Sequence, residues 1–145
     1  MSKVEDFLSK IEEQEIVDAI QMAEKNTSGE IRVHLEKSTS TAAYDRAVEV
    51  FNLLEMSKTK EANGVLIYVA VKDKKFVICG DKGINEKVPA DFWDSTKNII
   101  QAHFKNGNFK QGLVDGILKA GEQLKQHFPF NDTDTNELSN EISKG

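Results

Sequence analysis

Hydrophobic positions along the chain change period several times, and each change marks an element. Ser9-x-x-Glu12 is a capping box ahead of Ile16, Ala19, Ile20 and Ala23, whose spacing predicts a helix ending near Asn26. A second box, Ser2-x-x-Glu5, predicts a short helix before it, and Gly29 offers a stop with positive φ. From Glu30 the period becomes two. Ile31, Val33 and Leu35 share one face and Arg32, His34 and Glu36 the other, which reads as a strand with one covered face. A Ser/Thr-rich turn then leads to Ala43, Ala47, Phe51 and Leu54 at helical spacing.

Residues 65–71 are apolar on both faces, as expected of a central strand in a helix-covered sheet. The polar turn at 72–75 is too short for a crossover, so strand 76–79 must run antiparallel to it. Helices follow from about Asp91, with Phe92, Ile99, Ile100 and Phe104 inward, and from about 109 to 127. In the last helix Gly112, Gly116 and Gly121 suggest close approach of another backbone. Residues 1–130 read as a single α/β domain, and 131–145 as a flexible polar tail in which Leu138 and Ile142 could dock.

This order brings three loops together. A helical crossover makes strands one and two parallel, and the hairpin reverses strand three, giving a mixed sheet. The starts of the first two strands and the end of the third then share one edge. Ser28, Gly29 and Glu30, Thr59 with Asn63 and Gly64, and Asp81, Lys82 and Gly83 meet there. Glu30 and Asp81 could hold a hard divalent cation such as Ca²⁺ or Mg²⁺, assisted by Asn63 and backbone carbonyls. Gly64 and Gly83 could instead turn amides towards an anion, and Asn-Gly and Gly-Asp-x-Gly are also ordinary turn chemistry.

Composition narrows the classes. Hydrophobic residues make up 39% of the 145, and a net charge of −5 with pI ≈ 5.3 argues against nucleic acid as a partner. Cys79 stands alone, so no internal disulfide forms, and it reads as a small core residue. His34, His103 and His127 have no ligand spacing. Trp93 beside Phe92 could form an exposed recognition patch, but an amphipathic helix more often buries at least one of the two. Neither a phosphate-binding glycine loop with Lys-Ser/Thr nor a serine elbow is present, so no nucleotide or organic cofactor is expected. Without a signal-like start or a span-length apolar run, the expected form is a cytoplasmic monomer with no membrane insertion.

The segments Thr27 to Val33, Asn63 to Ala70, Gly80 to Ile84 and Asn136-Glu137-Leu138 resemble the TPM domain family, in family order and over nearly the whole chain. That resemblance implies a three-layer α/β sandwich with helices on both faces of the sheet. It also implies kinship with a thylakoid-lumen acid phosphatase linked to photosystem II repair and with calcium-binding relatives. Most members carry a signal peptide and an anchor, so this chain resembles the short cytosolic form. Two positions depart from the pattern: Ala62 stands where Arg often precedes Asn-Gly, and Ser139 where Pro follows Asn-Glu-Leu.

Two functions follow. One is a ligand- or cation-binding module with weak acid-phosphatase-like activity, in which the cation held by Glu30 and Asp81 activates water and Lys82 neutralises charge. The other is a non-catalytic module that binds a protein partner in assembly or maintenance of other proteins.

Overall fold

In the computed structural model, which describes residues 8–130, 138 and 140–144, the Ser9 box opens the first helix, α1 (Lys10–Glu24). Ser9 Oγ accepts the Glu12 N–H at 3.1 Å, and Glu12 accepts the Ser9 N–H at 3.0 Å, satisfying two of the donors a helix start leaves open. The helix expected from Ser2 and the stretch 131–136 lie outside the described residues. The stop after α1 differs from expectation. Lys25 caps it in right-handed geometry, and among the described residues Gly107 is the glycine with positive φ. What keeps Gly29 small is space, because a Cβ there would meet Leu124 Cδ1 at 3.0 Å.

Strand β1 (Glu30–Glu36), helix α2 (Ala43–Leu53) and strand β2 (Gly64–Ala70) form the crossover unit. β1 and β2 are parallel with Glu30 opposite Gly64. β3 (Lys75–Gly80) returns antiparallel, with Val65 opposite Gly80. A one-turn helix, α3 (Lys82–Asn85), precedes α4 (Asp94–Lys105) and α5 (Phe109–Lys125). The sequence did not predict the last strand, β4 (Ser143–Lys144), which pairs parallel with His34 and Leu35 and completes a four-stranded sheet of order β3-β2-β1-β4. Two residues are too few to show any period. Leu138, buried, and Ile142, partly buried, both dock on the body of the chain.

Helices cover both faces, giving a three-layer α/β fold. On one face Ile31, Val33, Leu35, Val65, Ile67, Val69 and Ile78 pack against α1, α4 and α5. Here α5 comes close to its neighbours: a Cβ on Gly121 would stand 2.6 Å from Ala23 Cβ, and one on Gly116 2.5 Å from Ile100. On the other face Leu66, Tyr68, Ala70 and Cys79 meet Ala47, Val50 and Phe51 of α2, with Met56 and Leu138. The expected solvated face of β1 is therefore corrected, since His34 is 5% and Glu36 7% exposed. α2 and the C-terminal segment cover that face. Phe92 and Trp93 are both buried and stack edge to face just ahead of α4, while Ile99 is half-buried.

Candidate functional site

The three loops do converge, and the register says how. Glu30 lies opposite Gly64, and the Asp81 N–H donates to the Gly64 carbonyl at 2.9 Å, extending the β2–β3 ladder by one pair. Residues opposite one another in adjacent strands project to the same face. Glu30 and Asp81 therefore flank Gly64 on the α2 side of the sheet, two strand spacings or about 10 Å apart at Cα. Between them stands a residue without a side chain. A Cβ on Gly64 would lie 2.9 Å from the Met56 carbonyl oxygen and 3.5 Å from Leu138 Cδ1, so this slot is floored by glycine and roofed by an oxygen and a methyl group.

Both carboxylates are withdrawn from solvent, Glu30 at 3% and Asp81 at 9% exposure. Glu30 Oε1 accepts the Leu138 N–H, which ties the C-terminal segment to the site. Asp81 caps α3: its Oδ1 accepts the Lys82 N–H at 2.8 Å. Its Oδ2 is buried without a hydrogen-bond partner, a costly state for a carboxylate oxygen.

The other predicted residues form the supporting loops. Ser28 Oγ donates to Glu61 at 2.7 Å and accepts from Asn63 Nδ2 at 3.2 Å. Thr59 Oγ1 accepts the Asn63 N–H at 3.1 Å, and the Asn63 carbonyl receives the Glu30 N–H at 3.3 Å. Ala62, not Asn63 or Gly64, takes the left-handed backbone of that loop, with φ 51°. Gly83 is required sterically, since a Cβ would meet the Glu61 and Ala62 carbonyl oxygens at 2.2 and 2.5 Å. The Lys82 side chain is exposed. Among the described residues, no group of three or more His, Cys, Asp or Glu is arranged to hold a metal.

Sequence reading missed the polar seam on the same face. Arg46 of α2 donates to Glu36 through Nε at 2.9 Å and Nη2 at 2.6 Å, and the Tyr68 hydroxyl donates to Glu36 at 2.6 Å. His34 bridges Glu36 at 3.2 Å and Ser143 Oγ at 2.9 Å through its two ring nitrogens. Arg46, chiefly, holds the Glu36 carboxyl down at about 2 against the cost of burial. Burial depresses His34, with Glu36 opposing the shift, and burial above all raises the pKa of the Tyr68 hydroxyl, with Glu36 adding, and of the Cys79 thiol, with Asp81 adding. Arg32 lies between seam and slot, and its Nε is buried without a hydrogen-bond partner. Glu24, at the end of α1, accepts the Ile31 N–H at 2.9 Å, and burial above all, with Glu30 adding, raises its pKa to about 7. The strict alternation of β1 carried a signal for the seam, but an alternating charged row reads as solvated until something covers it.

Fold and site together define a small α/β domain with a carboxylate-flanked slot at one end of its sheet. The TPM domain matches residues 1–123, and the chain belongs to that family. It is similar over all of both chains to the BA42 protein of the psychrophilic bacterium Bizionia argentinensis, solved by NMR, with 64% identity and a TM-score of 0.94. Two further NMR structures share the fold. The N-terminal domain of a P. gingivalis protein has 18% identity and a TM-score of 0.70 over 84% of this chain and 79% of that one. The N-terminal domain of the cg2496 protein of Corynebacterium glutamicum has 11% identity and a TM-score of 0.63 over 95% and 80%. No protein with a curated description matches. Among the described residues, no helix is long and apolar enough to cross a membrane.

Proposed function

We propose that this chain is a divalent-cation-binding module whose site is the slot over Gly64, with Glu30 and Asp81 as its charged ligands. The observation that carries the reading is the buried Asp81 Oδ2 with no hydrogen-bond partner, on the same sheet face as a second buried carboxylate. A cation there would supply what that oxygen lacks. The donors suit Ca²⁺ or Mg²⁺: two carboxylates and the Met56 carbonyl, with the remaining positions left for water. Carbonyl oxygens, rather than open space, face Gly64 and Gly83, which favours a cation over an anion cradled by their amides.

Phosphate-monoester hydrolysis is the finer reading. A bound cation supplies charge to a phosphoryl oxygen and acidifies a water. Arg32, with its buried Nε unpartnered, is the anion-facing cation that Ala62 does not provide. Ser28, Thr59 and Asn63 hold the β1 and β2 starts in register, and Lys82, exposed, directly follows Asp81 in the chain.

Thermal unfolding across Ca²⁺ and Mg²⁺ concentrations tests this in wild type, Glu30→Gln and Asp81→Asn. At about 100 times Kd, bound cation stabilises by roughly 2.7 kcal/mol, or about 5–10 °C at this chain length. Both variants should lose that gain. Three identical responses would sink the reading.

A further inference from the structure

We propose that the outer edge of β3 takes an extended, acidic peptide segment of a partner protein, seated by a lysine-rimmed aromatic cavity beside it. β3 is an edge strand: β2 lies on one side, and no strand of the described residues lies on the other. The Asp81–Gly64 hydrogen bond sets the phase of the β2–β3 ladder. By alternation, Lys75, Val77 and Cys79 exchange their backbone bonds with β2, while Phe76 and Ile78 turn N–H and C=O outward. Those groups are a template for an added strand.

At the start of this edge the surface opens into a cavity of about 460 Å³ lined by Ala43, Phe76, Phe104, Lys74, Lys75 and Lys105. Phe76 and Phe104 stand edge to face at 5.5 Å and supply an apolar wall. The three lysines are exposed, and none makes an ion pair with a described residue. Lys74 is also held in left-handed backbone with φ 54°, at the tip of the hairpin. In a chain of net charge −5, this is a local field of the opposite sign. A strand laid against β3 alternates its side chains, so one set enters the aromatic cavity and the other meets the lysine ammonium groups. Charge complementarity therefore selects acidic residues alternating with apolar ones. The outward backbone groups select a peptide over an anionic lipid surface, which could answer the lysines but not the N–H and C=O of Phe76 and Ile78. Nothing in this inference depends on the cation site.

The test uses amide NMR on the full chain with two short synthetic peptides, one alternating glutamate with isoleucine and phenylalanine, the other lysine with the same residues. The glutamate peptide should shift amides along 75–79 and 101–105 and slow exchange of the Phe76 and Ile78 amides. The Lys74→Glu, Lys75→Glu, Lys105→Glu variant, whose changes sit on exposed side chains, should keep the wild-type spectrum elsewhere. Its affinity for that peptide should fall by about tenfold or more, the sum of several exposed charge contacts. Equal binding of both peptides, unchanged affinity in the variant, or shifts without new protection at Phe76 and Ile78 would overturn the proposal. So would association with phosphatidylserine vesicles in the absence of any peptide response. In that last case the lysines face lipid. With no response to either probe, they only guard the edge against self-association.

Discussion

The two faces of this sheet are built from the same strands by opposite means. One is closed by α1, α4 and α5 over aliphatic side chains and aromatic rings, and its stability comes from apolar area removed from water. The other lies under α2 and the C-terminal segment, and along β1 it carries Glu30, Arg32, His34 and Glu36. Burial of such a row is tolerated only because Arg46, Tyr68 and Ser143 answer it. The core of the apolar face is aliphatic and aromatic and needs no particular partner. The polar face is conditional, and the unpartnered atoms Asp81 Oδ2 and Arg32 Nε both lie on it.

The largest expected effect opposes one truncation on each face. Ile67→Ala should cost about 4 kcal/mol as a cavity, and Arg46→Ala about 3 kcal/mol by leaving Glu36 charged and uncompensated. Urea unfolding checks both. The faces separate in the double variants: Glu36→Leu with Arg46→Met should cost less than Arg46→Ala alone, because no buried charge remains. Ile67→Ala with a second truncation on its face should instead cost more than either change. If the polar double is the more damaging, the seam is packing and not a charge pair.

Acid should attack only the polar face. Glu36 titrates at about 2 in the folded protein against 4.5 otherwise, so its contribution is complete above pH 4.5 and is lost as pH falls towards 2. Its side chain is 9% exposed, so little screening applies and the loss is on the order of 2–3 kcal/mol. His34, depressed by burial from 6.5, adds to the same loss from about pH 6.5 downward. Unfolding free energies between pH 2 and 7 should show this limb in wild type and a much shallower one in Arg46→Ala. Equal slopes would remove Arg46 as its cause.

Gly64→Ala probes the slot. A methyl group 2.9 Å from a backbone carbonyl must displace the Met56 loop, and about 1–2 kcal/mol of destabilisation is expected. Any cation response should disappear with it. A variant that melts lower but keeps the full metal-dependent rise would place the cation elsewhere.

The smallest effect is at Glu24. Its folded pKa is raised to about 7, so the stability it lends is full below pH 4.5 and lost as pH rises through 7. Glu24→Gln keeps an acceptor for the Ile31 N–H, and should therefore raise the melting point at pH 8 while leaving it nearly unchanged at pH 4. A cation on Glu30 would also relieve the repulsion Glu24 feels, so side-chain NMR titration should report a lower Glu24 pKa when Ca²⁺ is added.

The element order, the parallel pair, the hairpin and the convergence of the 27–30, 59–64 and 80–83 loops were all legible in the sequence. Periodicity and connection length are local properties, and chain handedness leaves few ways to assemble them. Period alone also marked 65–71 as central, one residue later than the observed Gly64–Ala70, because a strand apolar on both sides has nowhere else to go. Three features had no local trace. Whether the row Arg32, His34, Glu36 meets water or protein depends on α2 and on a segment more than 100 residues away, as the separation of His34 from Ser143 shows. The glycines at 29, 64 and 83 read as turn formers, yet each is held by a long-range contact, with Leu124, Met56 and Glu61. Burial without a partner, the state of Asp81 Oδ2, is the absence of a neighbour. Sequence can show that a carboxylate reaches one end of the sheet, but only packing decides what that carboxylate is denied.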